Sequence, residues 1–131
     1  MHASFSFKDR EYTILNIHGI SFWPKIDGPE RIKQSEIISD FLKNINHSKI
    51  VCGDLNLQSN TKSLDMLRVG MQDLIKDFGI TTTRSSLHPF NDEEGRLSDY
   101  VFVSPDIEVE DFKVPQEAKV SDHLPLILNF S

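Results

Sequence analysis

The stretch Tyr12–Gly19, YTILNIHG, constrains the fold more than any other. Its apolar residues Ile14, Leu15 and Ile17 are too closely set for a strand with one wet face, and the run is too short for a buried helix. A strand covered on both faces answers both conditions. A second run of the same kind, KIVCGD (49–54), follows one helical pattern later, and LSDYVFVS (97–104) is a third. Upstream, SFSF and YTILNIHG flank the charged segment KDRE, which reads as a hairpin. Between the first two apolar strands, Ile38, Phe41, Leu42 and Ile45 fall on one helical stripe, backed by Ile32 and Ile37. Asp27, three residues before Glu30, suits a capping box, with Pro29 in the first turn.

Residues 61–69 (TKSLDMLRV) read as a short helix ended by Gly70, and MQDLIKDFG as another ended by Gly79. ITTTRSS is β-prone, LHPFNDEEGR is a polar loop, and IEVEDFKV and LPLILNF are the last two strand runs. The expected architecture is α/β (α+β): one mixed sheet with helices packed on at least one face. A chain of 131 residues supports one domain, 1–131, with a real core.

Composition narrows the function classes. A net charge of −6 argues against coating nucleic acid by bulk electrostatics, and is compatible with a hydrolase whose divalent cation offsets local negative charge. No apolar run reaches the ~18–20 residues of a membrane span. The N-terminus lacks the basic and apolar regions of a signal peptide. The single cysteine, Cys52, excludes an internal disulfide and fits a reducing, cytoplasmic setting; within its apolar strand it reads as core. Trp23, beside Pro24 in a loop, reads first as packing and second as the lining of a substrate groove.

Four strand ends carry polar groups out of keeping with their surroundings: Asn16 and His18, Asp54 and Asn56, Asp99, and Asp122 with His123. Each has an ordinary alternative. Ser98-Asp99 and Ser121-Asp122 are turn chemistry before a strand, and His18 could be a satisfied core histidine. Together they are less easily dismissed, because carboxylates set among Ile, Val and Phe are costly unless paired or bound to a cation. Asp54 and Asn56, two apart, would face the same way along an extended segment, where one phosphate could touch both.

These segments resemble a known family. GDLN, SDYVFVS and SDHLPL look like the GD-x-N, D-Y and S-D-H motifs of the endonuclease/exonuclease/phosphatase (DNase I-like) superfamily of metal-dependent phosphodiesterases. NIHG looks like its N-x-H motif. DGPERIKQSEIISDFL further resembles a segment of uncharacterised bacterial members. The resemblance implies the C-terminal half of that family's α/β/β/α sandwich. It implies a divalent-metal-dependent phosphoester hydrolase, or the half of one that carries the Asp/Asn/His residues.

Residue by residue, it implies that His123 contacts the scissile phosphate and that Asp99 orients it. Asp54 would position the attacking water, and Asn56 would bind a phosphate oxygen. His18 would be a phosphate-contacting histidine, Asn16 and Arg84 substrate-binding residues, and Asp122 a metal ligand; Thr83 shares the loop position of Arg84. Mg²⁺ or Mn²⁺ is the implied cofactor, and nucleic acid is a possible substrate. The family's glutamate metal ligand belongs to an N-terminal half that this sequence does not contain. The expected partner is therefore that half, or a second copy of the chain meeting it through an exposed apolar sheet face. A non-catalytic binding or assembly module is the alternative reading.

Overall fold

The computed structural model describes residues 1–89 and 96–131. The amino-terminal hairpin joins β1 (His2–Phe7) to β2 (Arg10–Asn16), and its two-residue turn puts both Lys8 and Asp9 at positive φ. Such a turn matches the right-handed twist of the strands it joins. α1 (Pro29–Lys43) carries the chain to β3 (Ser48–Asp54), which lies parallel to β2, as a crossover helix permits. α2 (Lys62–Arg68), the two-residue β4 (Gln72–Asp73) and α3 (Leu74–Asp77) follow, then β5 (Asp99–Val103), β6 (Val109–Lys113) and β7 (Ile127–Phe130). The main sheet runs β1-β2-β3-β5-β4, with β5 antiparallel to both of its neighbours.

The three apolar runs are indeed β2, β3 and β5, adjacent at the middle of this mixed sheet. Val51, Tyr100, Phe102 and Val103 are fully enclosed. Alternation along the strands divides the faces. His2 packs against Phe41 of α1, whereas Phe5, three residues on and so on the opposite face, stacks on Tyr12, which in turn meets Phe130 of β7. α1 therefore covers one face and β7 part of the other.

Some expectations are corrected. β6 and β7 do not extend the main sheet but pair with each other in a separate two-stranded sheet. Their period-2 pattern defines strands without defining which sheet they join. ITTTRSS forms no strand, only a bridge between Arg84 and His123. Of the loop LHPFNDEEGR, residues 90–95 lie outside the described residues. Within α1 the buried stripe is Arg31, Ser35, Ile38 and Leu42, while Ile37 and Phe41 are exposed.

Nor does Asp27 cap α1, whose N-cap is Gly28 without a side-chain bond. Its carboxylate crosses instead to the start of α2, where it accepts from the backbone N–H groups of Lys62 (2.7 Å) and Ser63 (2.9 Å) and from the Ser63 hydroxyl (2.6 Å). Free N–H groups of a helix's first turn take any acceptor that reaches them, whichever element supplies it. Trp23 is exposed rather than packed.

Candidate active site

The rim at the end of β3 is built by close backbone approach. Gly53 has φ +125°, and a Cβ there would stand 2.1 Å from the Ile17 carbonyl oxygen and 2.8 Å from Asn16 Oδ1. Only glycine lets the two chains meet so closely in that conformation. Gly19 is equally pressed, with a Cβ position 2.3 Å from the Leu55 carbonyl oxygen. The Gly19 N–H donates to the Asp54 carbonyl at 2.7 Å, so the segment after β2 is sewn to the segment after β3.

Asp54 ends β3 directly across the ladder from Asp99, the first residue of β5. Cross-strand neighbours put both carboxylates on one face at one edge. Asp54 Oδ1 accepts from the Ser98 hydroxyl (2.6 Å) and the Asn56 backbone N–H (3.0 Å). Its Oδ2 faces His123 Nε2 and Arg84 Nη2, each at 3.7 Å. Asp99 holds His123 from the other side, with Oδ2 2.9 Å from Nδ1. Burial raises the Asp99 carboxyl above the ordinary aspartate range, and the Asp54 charge adds to this. The His123 hydrogen bond and charge and the Arg84 charge pull the other way without cancelling it.

Arg84 joins these groups. Its guanidinium contacts His123 Nε2, reaches Asp122 Oδ2 at 3.2 Å through Nη1, and donates to the Ser98 hydroxyl at 3.0 Å through Nη2. Its side chain is only 10% exposed, and Nε is buried without a hydrogen-bond partner among the described residues. A buried donor without a partner is uncommon. Because Arg84 can only donate, His123 Nε2 acts as acceptor and Nδ1 carries the proton toward Asp99. Thr83, fully buried beside it, accepts the Ser98 (3.1 Å) and Asp99 (3.2 Å) backbone N–H groups and so fixes the start of β5.

Asp54, Asp99, His123 and Arg84 thus converge, with Asp122 alongside. Asp122 is half exposed and paired to Arg84, its Oδ2 4.0 Å from His123 Nε2. Burial acts upward on its carboxyl, but the His123 and Arg84 charges and the hydrogen bonds of the turn bring it below the usual range. Asn56 is placed otherwise than an extended segment implies. Its φ is +52°, left-handed, and its buried amide donates to the Gly19 carbonyl at 3.4 Å. Asn16 and His18 are exposed at the neighbouring strand end, outside the converged group. Two participants, Ser98 and Lys25, were not singled out by sequence. Lys25 Nζ reaches the Ser98 hydroxyl at 3.1 Å from a loop with no periodic signal.

Among the described residues, Asp54, Asp99 and His123 could hold a metal ion, their ligand atoms lying within 4.8 Å of one another. Both imidazole nitrogens are already engaged, so the carboxylates are the better donors, and hard divalent cations prefer oxygen.

The mixed α/β architecture is that of the DNase I-like fold. The Endonuclease/Exonuclease/phosphatase family profile matches residues 7–123, and the chain belongs to that family. Solved structures agree. An endonuclease/exonuclease/phosphatase family protein from Bacteroides thetaiotaomicron superposes with a TM-score of 0.73 at 20% identity, over 94% of this chain and 51% of that one. A mannosyl-6-phosphatase from the same organism gives 0.67 at 19% identity, over 93% and 51%. D. rerio TDP2, complexed with a single-strand DNA product, gives 0.75 at 18% identity, over 99% and 60%. The chain spans about half the length of these relatives. No curated protein matches it in sequence.

Proposed function

We propose that this chain carries the phosphate-handling residues of a divalent-metal-dependent phosphoester hydrolase, acting on phosphodiesters. The observation that carries the reading is His123, held by Asp99 at Nδ1 while its Nε2 faces Asp54 Oδ2 and Arg84. An aspartate on the far nitrogen sets the tautomer and supports positive charge on the ring. Asp54 Oδ2 accepts the proton of a water attacking phosphorus, while the Arg84 guanidinium, and His123 in its imidazolium form with Nε2 protonated, hold the phosphoryl oxygens whose charge grows. Guanidinium suits that task because its N–H groups match phosphate oxygens in pairs. Asn56, through its tight turn, keeps Asp54 aimed; His18 and Asn16, exposed at the neighbouring strand end, are assigned to the approach of the substrate. Mg²⁺ or Mn²⁺, held by the Asp54 and Asp99 carboxylates with Asp122 nearby, would supply Lewis-acid polarisation of the phosphoryl group.

The alternative is a binding or assembly module that keeps the family scaffold. On either reading the face bearing Phe5 and Phe7, both exposed, receives the complementary half or a second copy. Among the described residues no helix is long and apolar enough to cross a membrane; the cytoplasmic assignment is part of this proposal and rests on the free thiol of Cys52. The test is hydrolysis of bis(p-nitrophenyl) phosphate with and without Mn²⁺, beside His123→Ala. Metal-dependent turnover lost in the variant supports the hydrolase. Turnover that survives His123→Ala, or a folded chain inert both alone and with its complementary half, overturns it.

A further inference from the structure

The Ser98 hydroxyl sits among three charged groups. It is 3.1 Å from Lys25 Nζ, 3.0 Å from Arg84 Nη2 and 2.6 Å from Asp54 Oδ1. An ammonium and a guanidinium can only donate, and a hydroxyl has two lone pairs and one proton. With both lone pairs taken by cations, the proton has one destination, the Asp54 carboxylate, and the short distance is that of a charge-assisted bond. Asp54 Oδ1 accepts the Asn56 N–H as well, so its hydrogen-bonding capacity is met. The other oxygen, Oδ2, is the one that faces His123 and Arg84.

Lys25 is only 7% exposed, which is expensive for an ammonium on a loop. Its Nζ also donates to the Leu97 carbonyl at 3.3 Å, and its own carbonyl accepts the Gln58 N–H at 2.9 Å. Arg31 pins the loop on both sides of it, donating to the Pro24 and Ile26 carbonyls at 2.7 and 2.6 Å. A lysine serving only as a loop strut would do as well at a carbonyl alone; this one delivers its charge to a hydroxyl bonded to the site carboxylate.

We propose that Lys25 is a positioning residue for Asp54. Together with Arg84 it saturates the Ser98 hydroxyl as an acceptor, commits that hydroxyl's proton to Oδ1, and leaves Oδ2 as the oxygen that serves the reaction. This deepens the hydrolase reading and rests on it for its kinetic consequences, but the hydrogen-bond arrangement has a test of its own.

In the folded protein, NMR should resolve the Ser98 hydroxyl proton as a slowly exchanging resonance, and Lys25→Met should abolish its protection while Lys25→Arg retains it. Absence of that resonance in the wild type, or its persistence in Lys25→Met, overturns the proposal. The wild-type measurement decides alone if Lys25→Met does not fold. With Mn²⁺ and bis(p-nitrophenyl) phosphate, Lys25→Met should lower kcat about tenfold, the lower end for a residue acting behind a site ligand, with KM nearly unchanged. Lys25→Met/Ser98→Ala should be no worse than Ser98→Ala. Additive losses, or a fall in stability with kcat intact, would reduce Lys25 to a strut. A wild type that shows the protected hydroxyl but no turnover leaves the arrangement standing and removes the hydrolase reading instead.

Discussion

Arg31→Met should be among the most destabilising single changes in the chain. Arg31 lies in the first turn of α1 and is 1% exposed, yet no carboxylate among the described residues forms an ion pair with its guanidinium. It makes five hydrogen bonds to four carbonyls of the preceding loop: Ile20 from Nε (3.4 Å) and Nη2 (3.3 Å), Phe22 (2.6 Å), Pro24 (2.7 Å) and Ile26 (2.6 Å). Its Cζ stacks 4.0 Å from the Phe22 ring centroid. Burial pushes its pKa down, and the Asp27 charge offsets part of that. Methionine fills similar volume but leaves up to four carbonyls without their donor, each worth about 1–3 kcal/mol where water cannot replace it. Some will rehydrate, because Phe22, Trp23 and Ile26 are exposed. The expected loss is therefore about 3–4 kcal/mol, a substantial share of the ~5–15 kcal/mol that holds a domain together. Urea unfolding followed by circular dichroism would read it as a lower midpoint, and calorimetry as a Tm drop of roughly 10–15 °C. A loss below about 1 kcal/mol would refute the reasoning, because it would mean that these carbonyls are satisfied without the arginine.

Gly53→Ala should fail more sharply, since its Cβ would meet a backbone oxygen at 2.1 Å at φ +125°; little folded protein is expected, and a native-like circular dichroism spectrum and Tm would contradict the close-approach argument. Asp99→Asn should separate stability from chemistry. The folded carboxyl sits above its ordinary value of 3.8, so its contribution to stability is complete below the unfolded value and is lost as pH rises through the folded one. The variant should therefore gain on the wild type in urea midpoint as pH rises from below 3.8, while hydrolysis falls. A stability difference that is flat or reversed over that rise would count against the burial argument.

The legible parts of the sequence were those whose hydrophobic pattern had one solution. β2, β3 and β5 announced themselves because an unbroken apolar run of that length must be covered on both faces. The site's carboxylates and His123 stood out for the complementary reason, as polar groups where the pattern forbade them. What escaped was buried polarity without a pattern. Arg31 and Ser35 lie outside the apolar residues that mark α1 in the sequence, yet belong to its packed face. Lys25 read as loop. Asp27 obeyed capping-box spacing but served another helix, because spacing states what a residue can reach along the chain and not what lies across from it. Asn56 defeated the alternation argument because the glycine that lets β3 approach its neighbour also precedes a left-handed turn.

The pairing of Asp54 with Asp99 across the ladder bears on how this site can change over evolutionary time. Their separation is set by the register of β3 on β5 and not by the length of any loop. Insertions between residues 55 and 98 can remodel what surrounds the cluster while leaving the two carboxylates where they are. A shift of one residue within either strand, by contrast, turns one carboxylate to the opposite face at a stroke. Lineages descended from such a chain are free to exchange substrates and poorly placed to adjust the spacing of the acids: selection meets a continuum in the loops and a staircase in the strands.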